Sequence, residues 1–295
     1  MRVLFNRKFL QHNIQSPAEG AYRMDSFSEY YDDEDCDGEK YITLIHTESY
    51  KEKVKEACMR SKVLAEVQLT PESYEAAKTA VGLTVMAAEQ GDFAAVRPPG
   101  HHAARECFSG FCFFNNIAIA TEHLVKKGKR VFIFDFDGHH GDGTQSIFYE
   151  SDQVLYTSIH QAFTFPFTGT PAETGKGKGE GYTLNIPVLP GSGDDVFFWS
   201  LNTIIAKAHL FEPDVVAVSA GFDGHPDDHL LSLNYSQKAF YECGFRLRRA
   251  FGQIFGVLEG GYHHQLRECI DAFVSGVNVG SRPIRNNFDH NMSLG

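Results

Sequence analysis

The stretch from Asp135 to Asp142 places carboxylates, imidazoles and glycines side by side. It follows an apolar run without polar alternation, which is typical of a strand buried on both faces of a parallel sheet. The carboxyl ends of such strands are where ligands bind in open α/β sheets. Asp137 and His139, two apart in an extended segment, can point to the same side and hold one ion. This ligand set suits zinc or a similar divalent cation, whereas a solvated turn would leave the charges after the strand uncompensated.

Asp223, after a later apolar run, would complete three protein ligands and leave one coordination position open, which is typical of a catalytic zinc site. Zinc lowers the pKa of bound water from roughly 15.7 to about 7, so hydroxide for attack on an amide becomes available. The adjacent His101 and His102 can then divide the acid and base roles. One would accept the proton of the water and the other would donate a proton to the leaving amine. Each would be oriented by a carboxylate such as Asp135 or Asp142.

Tyr262 follows two glycines, which allow the backbone to carry the phenol into the site. A phenol there can donate a hydrogen bond to the developing oxyanion, although a tyrosine after a strand is often ordinary core. Phe111 and Phe165 lie in loops with glycine or proline and are candidates for the walls of a narrow apolar channel, or for plain packing. Gly110 and Leu230 are further candidates for its lining.

Apolar runs and helical patterns alternate along the chain. The predicted strands are 3–5, 93–96, 130–137, 154–160, 182–188, 214–220 and 256–258, and the predicted helices are 46–60, 70–91, 113–127, 142–150, 194–210, 235–251 and 264–277. This alternation predicts an α/β fold with a mostly parallel sheet covered by helices on both faces. Polar clusters follow four of the strands, at 97–102, 135–142, 219–225 and 259–262, and we expect them to converge on one site.

The composition, 295 residues with 42% hydrophobic content, favours one large core without a linker. We expect one domain over residues 1–280 and a polar tail over residues 281–295. No apolar run is long enough to span a bilayer and no leader is recognisable, so the expected location is the cytoplasm, away from membranes. The six cysteines lack a CxxC pair, which argues against a disulfide framework or a cysteine zinc knuckle.

The charge balance is acidic, with 27 Lys and Arg against 38 Asp and Glu and a net charge of −11. Such a surface repels phosphate backbones and attracts cations, so nucleic acid is not an expected partner. A small cationic substrate such as a polyamine derivative, or a lysine-rich peptide, would be attracted. Glu66 and Glu106 are candidate carboxylates at the rim of the site, with ordinary surface residues as the alternative.

Several motifs together carry a family resemblance: Arg97–Ala103, Ser109–Asn116, Asp135–Gln145, Ser219–Asp223 and Glu259–Tyr262. In sequence and order they resemble the zinc-dependent histone deacetylase superfamily. The segment 165–181 is similar to the bacterial acetylpolyamine amidohydrolase branch.

The resemblance implies the arginase/deacetylase fold, one zinc ion on Asp137, His139 and Asp223, and Tyr262 as the group that polarises the carbonyl. It implies His101 and His102 as the acid/base pair. A structural potassium ion is implied at Asp135, Ser158 and Ile159 with nearby backbone oxygens, and Arg23 matches a buried arginine beside an internal channel.

Two departures from the branch bear on these expectations. The segment from Lys62 to Pro71 is too short for the long insertion that builds a dimer in the polyamine branch, so we expect a monomer or a weak dimer. Asp228-His229 stands where the family usually has Asp-Pro, so the rim is expected to differ.

The predicted activity is hydrolysis of the acetyl amide on a primary amine, with acetylated polyamines or small N-acetylalkylamines ahead of acetyl-lysine in proteins. An arginase-type ureohydrolase would need two metals and extra aspartates at the positions of Gly141 and His225. An acyl-binding protein without catalysis would have no need of His101, His102 and Tyr262 together.

Overall fold

Seven parallel strands form the main sheet of the structure, a computed structural model that describes residues 1–14, 16–64 and 67–281. The strands are β1 Val3–Leu4, β2 Val63–Leu64, β3 Val67–Gln68, β4 Phe93–Ala94, β5 Val131–Asp135, β6 Val154–Gln161, β7 Thr183–Val188, β8 Val215–Ala220 and β9 Gln253–Leu258. The sheet order is β1-β4-β9-β8-β5-β6-β7, while β2 and β3 form a separate antiparallel hairpin. The predicted parallel α/β architecture is therefore confirmed.

The centre of the sheet is fully buried along β5, β6 and β8. This explains the continuous apolar runs, because a strand covered on both faces has no solvent-facing positions. The register pairs Asp135 with Ser158 on one side and with Ser219 on the other. Neighbouring strands thus end level with one another, and the polar residues after them emerge at the same edge.

Ten α-helices accompany the sheet within the described residues: α1 Lys8–Gln11, α2 Phe27–Tyr30, α3 Glu39–Ile42, α4 Glu48–Met59, α5 Pro71–Gln90, α6 Asn116–Val125, α7 Asp142–Phe148, α8 Asp194–Phe211, α9 Gln237–Ala250 and α10 Leu266–Gly280. The start of α5 shows why such boundaries are predictable. Thr70 caps it, Pro71 occupies its first turn, and Gly91 ends it in the left-handed region at φ 77°.

The long predicted elements agree with the structure to within a few residues at most boundaries. The short helices α1, α2 and α3 and the β2–β3 hairpin were not predicted, because elements of two to four residues carry too little periodicity. The cysteines are all free in the described residues, and none of the described helices could cross a membrane. The predicted tail lies outside the described residues except for Ser281.

Candidate active site

Asp137, His139 and Asp223 meet at the carboxyl ends of β5 and β8. One candidate ligand atom from each side chain lies within 4.8 Å of the others. His139 Nδ1 is 2.7 Å from Asp223 Oδ2 and 3.3 Å from Asp137 Oδ1. The segment at Asp137 and His139 is bent rather than extended, but it still turns both side chains to one point.

Backbone amides fix the two carboxylates of this cluster. Gly138 N donates to Asp223 Oδ1 at 2.7 Å, and Gly260 N donates to Asp137 Oδ2, also at 2.7 Å. Gly260 must lack a side chain, since a Cβ there would lie 2.6 Å from Asp137 Oδ2 and 2.9 Å from Asp223 Oδ2. The carboxylates are therefore held in place by the fold itself.

The electrostatics of the three groups fit a bound cation. Burial opposes ionisation, yet the charges of His101 and His139 hold the pKa of Asp137 well below its usual range. Burial and the charge of Asp137 raise the pKa of Asp223 to about 7. Burial also opposes charge on His139, but its bonds to the two aspartates raise its pKa to about 10. Two carboxylates and an imidazole that concentrate negative charge in a buried pocket are a donor set that suits a divalent metal.

The two adjacent histidines are anchored by different carboxylates. His101 Nδ1 lies 3.1 Å from Asp135 Oδ2, and His102 Nδ1 lies 2.7 Å from Asp142 Oδ1. Burial opposes protonation of His101, but Asp137 and Asp135 raise its pKa well above its ordinary value. Burial and the charge of His101 lower the pKa of His102 to about 4. Two neighbouring imidazoles with opposite protonation preferences can serve separate acid and base roles.

Tyr262 follows a tight backbone bend and lines the same pocket as His102. Gly261 adopts φ 117°, and Tyr262 N donates to Asp228 Oδ2 at 2.7 Å. Arg23 lies over the Tyr262 ring at 4.7 Å and donates from Nε to Gly261 O at 2.7 Å. Burial raises the pKa of the phenol well above its ordinary value, so it stays a hydrogen-bond donor at neutral pH.

A cavity of about 290 Å³ opens above these groups. Its lining includes the predicted Gly110, Phe111, Phe165 and Leu230 together with Thr164, His102, His139 and Tyr262. Glu106 does not line it. That residue is exposed, and its carboxylate accepts a hydrogen bond from Thr47 at 2.8 Å, so the structure does not place it in the substrate site. Glu66 lies outside the described residues.

The histone deacetylase domain model matches residues 11–277. The chain belongs to the histone deacetylase family. A probable deacetylase of Archaeoglobus fulgidus is 36% identical over 296 aligned residues, with 88% of this chain and 80% of the relative covered. This histone deacetylase family member is thus an enzyme of the deacetylase and amidohydrolase class, and the arginase-type alternative is set aside.

Two solved structures support the same placement. The HDA15 HD domain superposes with a TM-score of 0.87 at 28% identity, covering 95% of this chain and 90% of that one. An acetylpolyamine aminohydrolase from Burkholderia pseudomallei gives a TM-score of 0.80 at 26% identity, covering 94% and 98%. The family model is named for histone deacetylases, while one of these structures is named an acetylpolyamine aminohydrolase, so the comparisons leave the substrate of this chain open.

The predicted potassium residues lie next to each other in the sheet. Asp135 pairs with Ser158 across β5 and β6, and Ile159 follows. Asp135 Oδ1 accepts a hydrogen bond from Asp137 N at 3.1 Å, and Ser158 Oγ lies 2.8 Å from His160 Nδ1. Nothing in these contacts identifies potassium, which stays a prediction for this deacetylase family member.

Two buried carboxylates that support the site were not singled out from the sequence. Glu259 Oε2 accepts hydrogen bonds from Gly100 N at 2.7 Å and His101 N at 3.1 Å, which fixes the histidine loop. Glu19 bonds to Arg23 and to Arg97 in the core. Glu259 belonged to the predicted polar cluster 259–262 and to the Glu259–Tyr262 motif, but neither pattern gave it a role of its own. Glu19 had no such signal, since a single glutamate in a loop is usually solvated.

Proposed function

We propose that this chain is a zinc-dependent amidohydrolase that removes the acetyl group from a primary amine. The preferred substrates in this proposal are small N-acetylalkylamines, acetylated polyamines among them. Its main support is that His139 of the metal-ligand cluster, His102 of the anchored histidine pair and Tyr262 line a single cavity. In the reaction the amide C–N bond breaks, a C–O bond to water forms, and acetate and the free amine leave.

Zinc on Asp137, His139 and Asp223 would activate the water and polarise the acetyl carbonyl. The surrounding side chains supply the remaining steps. His102 lines the cavity and His101 lies behind it, so the pair can accept the proton of the water and deliver a proton to the amine nitrogen. Their partners Asp142 and Asp135 keep the rings in place. Tyr262 donates its phenol hydrogen to the oxyanion.

The cavity favours an alkyl chain between the amide and the rest of the substrate. Phe111 and Phe165 lie on its walls, and the methylene groups of an aminoalkyl chain can pack between such rings. Acetyl-lysine in a protein presents a similar chain and is the second candidate. The observation that favours it is the open rim, where Leu230 is 45% exposed and Phe165 is 40% exposed.

The test is turnover by zinc-loaded protein of acetylputrescine, acetylcadaverine, acetylspermidine and an acetyl-lysine peptide, measured as acetate and free amine released. We expect hydrolysis of the small amines, with the peptide slower. Faster turnover of the peptide would move the assignment to protein deacetylation, and no turnover of any acetylated amine would refute the proposal. Metal analysis is expected to give one divalent ion per chain bound at this site.

A further inference from the structure

A second cavity adjoins the proposed active site. It has a volume of about 380 Å³ and shares Thr164 and Phe165 with the first cavity. Phe165 forms the partition between them: its ring makes an edge contact with His102 at 5.0 Å on the active-site side, and the same residue lines the second cavity. The two cavities are therefore neighbours, and a substrate long enough to extend around Phe165 would contact both.

The outer wall of the second cavity carries two exposed aromatic rings. Phe163 is 85% exposed and Phe167 is 78% exposed. Both hold φ values in the left-handed region, 64° and 63°, which is costly for a residue with a side chain. Two large apolar rings that are exposed to water on a strained backbone do not stabilise the fold. Such features are typical of a binding surface.

The two histidines that line this cavity already share hydrogen bonds with other groups of the protein. His140 shares hydrogen bonds with Thr168 Oγ1 at 2.7 Å and Gln145 Oε1 at 3.0 Å. His160 shares them with Ser158 Oγ at 2.8 Å and Gly169 O at 3.1 Å.

No carboxylate lines either cavity among the described residues. An ammonium group entering here would therefore find no carboxylate on the walls to pair with. An uncharged apolar group would gain contact with the exposed rings of Phe163 and Phe167.

We propose that the second cavity binds an uncharged aromatic or bulky apolar group at the far end of a small N-acetylalkylamine substrate. This inference rests on the proposed deacetylase function and narrows its substrate class. The cavity volume fits a ring with a short linker, which is the range for small-molecule sites and leaves little room for a peptide backbone. Within the proposed class, the better substrate is thus an acetylated amine with an apolar far end, and an acetylated polyamine, whose far end is charged, is a poorer one.

The test compares N-acetylcadaverine, whose far end is an ammonium group, with N-acetyl-N′-benzoylcadaverine, whose far end is an uncharged aryl amide. For zinc-loaded wild type we expect kcat/KM to be about tenfold higher with the benzoyl compound, the size of effect given by burying one aromatic group. Phe163→Ala and Phe167→Ala should each remove most of that advantage. The loss of kcat/KM on N-acetylcadaverine in these variants should be clearly smaller than the loss on the benzoyl compound.

Trp199→Ala is the matched control, because Trp199 is an exposed aromatic residue (63%) on α8 and lines neither cavity. It should leave both substrates unchanged. Equal turnover of the two compounds, or an equal loss on both in the phenylalanine variants, overturns this inference while the deacetylase proposal stands. Absence of hydrolysis of both compounds overturns the two together. Phe163 and Phe167 are exposed, so unchanged melting temperatures are expected and will separate binding from folding.

Discussion

The phenol of Tyr262 is the group whose chemistry can be tested most directly. Arg23 packs on the ring and Asp228 holds the backbone, so removal of the hydroxyl alone should leave the ring in place. We expect Tyr262→Phe to lower kcat by about 10²–10³, the usual cost of losing one oxyanion donor. Zinc content and melting temperature should match the wild type. Full activity in this variant would show that the oxyanion is stabilised by other groups.

His139 is the ligand that brings the two aspartates together. Removing it should abolish high-affinity zinc binding, because the remaining carboxylates lack the nitrogen donor. Ligand binding to the folded state stabilises it, by about 2.7 kcal/mol when the ligand is at a hundredfold excess over Kd. We therefore expect zinc to raise the melting temperature of wild type but not of His139→Ala.

The exposed His229 provides the control for this measurement, since it is not part of the three-residue cluster. His229→Ala should retain both the zinc content and the zinc-dependent rise in melting temperature. A full thermal response in His139→Ala would show that zinc binds elsewhere in the protein.

At the level of elements, Glu19 connects three parts of the chain. Its Oε1 accepts from Arg97 Nε at 2.5 Å, after β4, and from Arg23 Nη1 at 3.0 Å, on the short helix Ala21–Met24. Arg23 in turn donates to Glu259 O at 2.7 Å, after β9. All three charged side chains of the Glu19–Arg23–Arg97 cluster are fully buried. Burial opposes ionisation of Glu19, but Arg97 and its hydrogen bonds hold the pKa of this carboxyl below its usual value.

Glu19→Gln would leave two buried guanidinium groups without their countercharge. We expect a loss of about 3–5 kcal/mol in the free energy of unfolding, the usual cost of breaking a buried ion pair from one side. Denaturant unfolding measures it directly. Glu56→Gln is the matched control, since its pair with Arg60 at 2.8 Å is more than half exposed. That variant should change stability by less than about 1 kcal/mol, and similar losses in both would contradict the assignment.

The elements also show which parts of the site a sequence can reveal. Asp137 and His139 follow a long apolar run directly, so their position at a strand end was predictable from local pattern alone. Asp223 could be assigned to the same site because the carboxyl ends of parallel strands lie at the same edge of the sheet. Tyr262 could be assigned to the site for the same reason. The orientation of its ring, however, depends on Arg23, which lies far away in the sequence.

The rim and the buried cluster could not be derived in this way. Glu106 looked like a rim carboxylate, but its side chain bonds to Thr47 at the start of α4, a contact between loops that no periodicity encodes. Glu19 can be buried because Arg23 and Arg97, which lie on separate elements, both pair with its carboxylate. The loop at Phe163 and Phe167 has an apolar composition that suggests burial, yet both rings are exposed and both residues have positive φ, which the sequence does not indicate.

Across the whole molecule, several histidines are buried in the neutral form, and His46 shows why. Its Nδ1 donates to Arg105 O at 3.0 Å, while its Nε2 accepts from Asn115 N at 2.9 Å. Protonation of Nε2 would therefore place two N–H groups against each other. Burial lowers the pKa of His46 from 6.5 to about 4. Burial likewise lowers the pKa of His12 to about 3.

Because the pKa values of these histidines are lowered in the folded state, we expect the protein to lose stability in acid. Below pH 6.5 His46 is protonated in the unfolded chain, whereas in the folded chain it stays neutral down to about pH 4. The free energy of unfolding therefore falls as the pH falls through this window. One such group contributes a loss of about 2 kcal/mol between pH 6.5 and pH 5. Urea unfolding at several pH values measures it. His46→Gln, which cannot titrate, should show a shallower decline, so its stability deficit relative to wild type narrows on acidification. A deficit that stays constant from pH 7 to pH 5 would mean that His46 is protonated equally in both states.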